Sequence, residues 1–207
     1  MCVTMATVLL LNKPFHTLTQ FTDTEGRKTL SDYIDTRRYK GYYAAGRLDY
    51  DSEGLVVLTC DGSLQHQLAN PKFKLPKTYW VQVEGQPSAA AVTALAKGLV
   101  LKDGPTKPCL AKVIEPPSLW PRTPPIRERA NSPTHWLAIT LTEGKNRQVR
   151  RMTAAVGLPT LRLVRAQIGN WKLDHLQPGD SREEQIHLPK STQPNKRRPR
   201  KGKGDAR

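Results

Sequence analysis

The sequence predicts an α+β domain built on a largely antiparallel sheet, and three observations lead there. Short β-prone apolar runs recur along the chain with a few helix signals between them. Strands and helices do not alternate in a βαβ rhythm, which argues against a parallel sheet. Finally, 37% hydrophobic residues in a chain of 207 suffice for one sizeable core or two small ones, with no internal repeat to divide it.

The elements follow in chain order. ATVLLLN (6–12) is apolar and β-prone, and Lys13-Pro14 stops it because proline cannot extend a ladder. TLSDYI (29–34) places Asp32 three residues after Thr29, a capping-box pair that predicts a short helix. YYAAG (42–46) and GLVVLTC (54–60) predict two strands, and Asp61 predicts the cap of a helix GSLQHQLA ending at Asn70-Pro71. KTYWVQVEG (77–85) alternates as a half-buried strand does, and Ser88 caps a helix AAAVTALAKG that closes at Gly98. LAKVIE (110–115) and HWLAITLTEG (135–144) predict further strands. The six prolines between 116 and 134 are too many for a central strand and predict a long surface loop. GKNRQVRRMTAAVG (144–157) predicts the most regular helix, with Val149, Met152 and Val156 on an apolar face and Arg147, Arg150 and Arg151 on another.

Charge narrows the class of partner. The chain carries 33 Lys+Arg against 18 Asp+Glu, a net +15, which favours a polyanion and above all nucleic acid. Residues 190–207 hold eight of those cations and one Asp without a large apolar side chain, so a disordered basic arm is expected there and a folded domain over 1–189. The folded part keeps +8. Three scattered cysteines, Cys2, Cys60 and Cys109, support neither a disulfide framework nor a metal site and fit a reducing cytoplasm. No stretch approaches the ~20 apolar residues of a membrane span, and the start lacks the basic lead of a signal peptide. A cytoplasmic protein without a membrane partner is expected, a monomer for want of heptads or a cysteine framework.

The stretch GRLDYDSEGLVVLT (46–59) sets Asp49, Asp51 and Glu53 at every second position. If extended, the three would face one side and could hold Mg²⁺ as a nuclease does. Gly46, Gly54 and the Asp-Ser-Glu-Gly run are turn chemistry, so a solvated loop between strands is the plainer reading. A third reading is one reactive acid with two companions. The five histidines are too scattered to suggest a shared metal site, and the only GxG lies in the basic tail, which argues against a nucleotide cofactor.

LNKPFHTLTQF, GRLDYDSEGLVVLTCDG, KTYWVQVEG, TEGKNRQVRRM and LVRAQIG followed by LQPGD resemble, in order and spacing, the RsuA branch of the pseudouridine synthases over roughly residues 7–189. The resemblance implies a central, mostly antiparallel mixed sheet with flanking helices and loops and an active-site cleft across it. It implies isomerisation of uridine to pseudouridine, without metal or cofactor, in large-subunit (23S) ribosomal RNA. Many relatives carry a small RNA-binding domain ahead of LNKP for which this chain has no room, so docking is expected to fall to the catalytic domain and the arm.

The reaction detaches uracil from C1′, turns the ring and joins C5 to the same carbon. It needs a carboxylate that adds to sugar or base, or that removes a sugar proton. The resemblance gives that role to Asp49, makes Arg150 its ion-pair partner and sets Tyr79 against the target base. Lys13, Arg47, Lys145, Arg147 and Arg151 are the cations expected to touch RNA or hold the flipped nucleotide, and Leu163 and Ile168 the expected apolar walls. Two other functions remain open: a metal-dependent ribonuclease using Asp49, Asp51 and Glu53, and a non-catalytic rRNA-binding assembly factor.

Overall fold

The computed structural model describes residues 4–69, 75–126 and 132–188, and the arm expected over 190–207 lies outside them. Its elements are β1 (Thr4–Lys13), a 3₁₀ turn Leu30–Asp32, β2 (Tyr43–Ala44), β3 (Glu53–Thr59), α1 (Gly62–Ala69), β4 (Lys77–Glu84) and α2 (Ala89–Lys97). There follow β5 (Val100–Leu101), β6 (Gly104–Pro105), β7 (Leu110–Ile114), β8 (Thr134–Leu141), α3 (Gln148–Ala155), β9 (Thr160–Ile168), β10 (Trp171–Lys172) and β11 (Ser181–Leu188).

The main sheet runs β11-β1-β3-β9-β4-β8-β7, with β2 added to β3 and β10 to β9, while β5 and β6 form a separate hairpin. Among the described residues every pairing is antiparallel except β3 with β9, where Glu53 lies opposite Val164 and Gly54 opposite Arg165. The α+β expectation therefore holds, with one parallel seam that joins the strands of the two halves. Gly54 makes the seam possible: its φ is +107°, and a Cβ there would lie 2.5 Å from the carbonyl oxygen of Arg165.

Burial follows the period of two. Val8 and Leu10 of β1 and Leu55 and Val57 of β3 join the layer under α1, while Leu9, Leu11, Val56 and Leu58 face the opposite layer with Leu30, Ile34 and Leu48. All seven residues of β3 are buried. The third cluster sets Val81, Val83, Leu137 and Ile139 of β4 and β8 against Leu95 of α2 and Val149 and Met152 of α3. Caps stand where the side chains foretold them: Asp61 Oδ1 accepts from the Leu64 N–H at 2.8 Å and Ser88 Oγ from Ala91 at 3.1 Å.

One expectation is corrected and two strands are added. The helix expected over 144–157 is only Gln148–Ala155, and Arg147 precedes it in the left-handed region at φ 46°. Lys145 explains the shortening, since its N–H donates to Gln148 Oε1 and its Nζ to the carbonyls of Gly104 and Pro105 in the β5–β6 hairpin. Residues 144–147 thus become a loop over the sheet. The strands β9 and β11 are additions, because two buried arginines interrupt the apolar pattern of the first and SREEQIHL is an edge strand rich in charge. No helix among the described residues is long and apolar enough to cross a membrane.

Candidate active site

A cleft of about 520 Å³ opens beside the parallel seam, between the loop 46–52 that leads into β3, strands β4 and β9, and the loop ahead of α3. Its size suits one nucleotide with part of its neighbours. Leu48 positions the loop. Its side chain is buried against Leu9, Leu11 and Val56, while its N–H and C=O both bond the Thr19 hydroxyl, at 3.2 and 2.6 Å. With Leu48 pinned inward, Asp49 lines the cleft, and the turn is closed by the Ser52 N–H donating to the Asp49 carbonyl at 3.1 Å.

The three carboxylates of this stretch part company. Asp49 lies 3.6 Å from Arg147 Nη1 and has a third of its side chain exposed. Asp51 accepts both Arg147 Nη1 and Nη2, at 2.9 and 2.8 Å, and lies 3.4 Å from Arg150. Burial opposes ionisation of Asp51, but the Arg147 hydrogen bonds and the charges of Arg150 and Arg147 outweigh it, holding the carboxyl below its usual range. Glu53 is 1% exposed and takes Arg162 Nε and Nη2 at 2.8 Å each, with the Trp120 indole N–H also at 2.8 Å. A cage of Asp49, Asp51 and Glu53 is therefore overturned: Glu53 is spent on a buried ion pair. Among the described residues no group of three His, Cys, Asp or Glu could hold a metal ion.

The pairing of Asp49 with Arg150 is also corrected. Arg147, not Arg150, is the cation within ion-pair distance of Asp49. Arg150 instead donates to the Asp51 carbonyl at 2.6 Å and approaches the Ser52 hydroxyl at 3.4 Å, bracing the backbone of the acidic turn. Burial pushes its pKa down despite Asp51. The left-handed conformation at Arg147 puts its guanidinium over the turn, a placement that helical spacing could not reveal.

The remaining expected residues divide. Leu163, Tyr79, Lys145 and Arg47 line the cleft, and Arg47 is exposed with no side-chain partner among the described residues. Lys145, however, spends its ammonium on the β5–β6 carbonyls, and Arg151 is bidentate to Asp103 at 2.7 and 3.0 Å. Ile168 is 1% exposed in the core with Leu64 and Leu68 and does not line the cleft. Lys13 is fully buried, its Nζ donating to the Pro14 and Thr17 carbonyls at 2.9 and 2.7 Å, so it cannot touch RNA as expected.

Burial lowers the Lys13 pKa from 10.5 to about 7, against the pull of Glu53. The unfolded chain then binds more protons than the folded one between about pH 7 and 10.5. Stability should accordingly rise with pH across that window, by up to about 1.4 kcal/mol per pH unit from this group. Urea midpoints should show wild type gaining on Lys13→Met between pH 7 and about 9.5; parallel curves would contradict the assignment.

Tyr79 packs its ring between two core clusters, and its hydroxyl makes no hydrogen bond among the described residues. Tyr79→Phe should therefore melt within about 2 °C of wild type. If the hydroxyl takes part in proton transfer, turnover should fall by about 10²- to 10⁴-fold. Unchanged turnover would reduce the ring to packing.

Lys77 and Arg165 also line the cleft and escaped the sequence reading. The signal that could have found them is the placement of cations inside otherwise apolar strand runs, KTYWV and LRLVRAQI.

Asp49 beside Arg147, with Tyr79 and Leu163 lining the same cleft among several cations, brings a carboxylate and an aromatic ring to a pocket suited to a polyanionic substrate. The comparisons give the family. The model for RNA pseudouridylate synthase matches residues 7–155. A ribosomal large subunit pseudouridine synthase E of Vibrio parahaemolyticus is 59% identical over 179 residues, covering 86% of this chain and 74% of that one. The protein of the same name in Xanthomonas campestris pv. campestris is 54% identical over 178 residues, 84% of this chain and 94% of that one. A solved pseudouridylate synthase superposes with a TM-score of 0.73 at 29% identity, covering 88% and 71% of the two chains. The chain belongs to the RNA pseudouridylate synthase family and is an enzyme of that class, isomerising uridine within RNA.

Proposed function

We propose that the protein isomerises a uridine of large-subunit ribosomal RNA, with Asp49 as the reacting carboxylate. The observation that carries this reading is the isolation of Asp49. Of the three acids in its stretch it alone lines the cleft, and its carboxylate accepts no hydrogen bond among the described residues, while Asp51 and Glu53 are hydrogen-bonded by guanidinium groups. The choice of RNA follows the relatives, two of which are named for the large ribosomal subunit at 59% and 54% identity.

Arg147, 3.6 Å away, orients Asp49, and Arg150 stiffens the turn behind it. Tyr79 and Leu163 flank the base, and Arg47, a lining cation with no side-chain partner among the described residues, meets backbone phosphate. Extruding a stacked uridine costs a few kcal/mol, which phosphate contacts of this kind offset. Residues 1–189 act as the catalytic domain, the basic arm adds affinity without base preference, and the protein works as a cytoplasmic monomer without metal or cofactor.

The test is a map of pseudouridine across large-subunit RNA by carbodiimide-dependent primer extension, in cells with and without the gene. One or a few stops should vanish in the deletion and return when purified protein is added to the RNA. An unchanged map in the large subunit, with a site lost elsewhere, would reassign the substrate. Strand breaks abolished by EDTA would revive a nuclease.

A further inference from the structure

Arg165 is a buried cation that the site as described leaves unexplained. It is 2% exposed and lines the cleft, directly opposite Tyr79 across β4 and β9. Two of its nitrogens fasten the two ends of the acidic loop: Nη1 donates to the Arg47 carbonyl at 3.1 Å and Nε to the Leu55 carbonyl at 2.7 Å. The third, Nη2, is buried without a hydrogen-bond partner, and no carboxylate pairs with the group among the described residues.

Arg162, three residues earlier on the same strand, shows what a satisfied buried arginine looks like here, with Glu53 and the Trp120 carbonyl around it. A guanidinium left unpaired at such depth is costly, and the cost is recovered when a ligand brings acceptor oxygens to it. Lys77 stands beside it. It also lines the cleft and has a single long hydrogen bond, to the Leu75 carbonyl at 3.4 Å. Burial and then the Arg165 charge push its pKa down, a sign of two cations facing one unfilled space.

We propose that Arg165, supported by Lys77, binds a carbonyl oxygen of the target uracil and stabilises the negative charge that the ring carries while it is detached from the sugar. This rests on the reading of the cleft as the site of uridine isomerisation. When the C1′–N1 bond breaks, its electron pair leaves with the ring, and either an Asp49 oxygen bonds C1′ or C2′ gives a proton to Asp49. The free uracil bears one negative charge, spread over N1 and the two carbonyl oxygens. C5 then bonds C1′, either as the bond from Asp49 to C1′ breaks or as Asp49 returns its proton to C2′; the C5 proton is lost and N1 takes one up. Nothing is gained or lost overall. A donor held where charge develops, in a site with little water, lowers that barrier without reorganising.

The experiment uses a large-subunit RNA fragment that wild type modifies, prepared with uridine, 2-thiouridine or 4-thiouridine at the target. Sulfur is a poor acceptor, so wild type should lose about tenfold or more in single-turnover rate on one of the thio substrates. Arg165→Met should lower the rate on plain uridine about 10²- to 10³-fold, bind RNA within about threefold of wild type, and show no further thio penalty. A wild-type rate, or an undiminished thio penalty in the variant, would overturn the proposal. Should Arg165→Met melt far below wild type, because it also clasps the loop, Lys77→Met replaces it. That variant should keep its melting temperature and lose at least about tenfold in rate on uridine; a wild-type rate sinks the assignment. Failure of the underlying substrate reading looks different, because wild type itself would then leave the plain fragment unmodified.

Discussion

Asp49→Asn should abolish pseudouridine formation while leaving the fold in place. The amide keeps the size of the carboxylate but has no charge with which to attack a sugar or a base or to take a proton, so a loss of at least about 10⁴-fold is expected. The structural cost should be small. Asp49 is a third exposed and its contact with Arg147 is a long one at 3.6 Å in a solvent-accessible setting, where such pairs contribute about 1 kcal/mol or less. Melting temperature and RNA affinity should thus match wild type while carbodiimide-dependent stops disappear.

Asp51→Asn is the discriminating control. It weakens the bidentate contact that orients Arg147 without touching the reacting oxygen, so a partial loss of about tenfold fits its position. If the two variants were equally dead, the acidic stretch would be working as a unit and Asp49 would lose its singular role. If Asp49→Asn modified RNA fully, the mechanism would fail outright.

What the sequence could convey, and what it could not, follows from where each signal lives. Strands β1, β3, β4 and β8 announced themselves because alternation or an apolar run is a local property, and Asp61 and Ser88 because a cap is decided within three residues. Strand β9 did not, because Arg162 and Arg165 look like surface residues until their partners are known, and most of these come from positions 53, 55 and 47, more than 100 residues away. Asp49 and Tyr79 both line the cleft, as the motifs they stand in led one to expect. The cations were not legible, since the same lysine or arginine can face a phosphate, clamp a hairpin or be sealed in the core. Lys145 proved to be the second kind and Lys13 the third. The partner of Asp49 was misplaced by one helical turn because Arg147 leaves the helix before it begins.

Removing Glu53 should be among the most damaging changes to stability. Arg162 is 7% exposed, and Glu53→Ala would leave its guanidinium in the core without a counter-charge and the Trp120 N–H without an acceptor. Breaking one side of such a pair costs about 3–5 kcal/mol, a large part of the stability of an average domain. Urea midpoints should fall accordingly, and the loss should exceed that of Glu53→Gln, which keeps one acceptor oxygen and the shape of the side chain. The double replacement Glu53→Leu with Arg162→Leu should recover most of the loss, because two apolar groups need no partners. Such a cycle separates structure from chemistry at this position. A metal ligand would lose activity in Glu53→Gln at unchanged stability, and the double variant would stay inactive. A buried structural pair predicts the reverse: the double variant folds, keeps Asp49 in the loop ahead of β3, and turns over uridine at close to the wild-type rate.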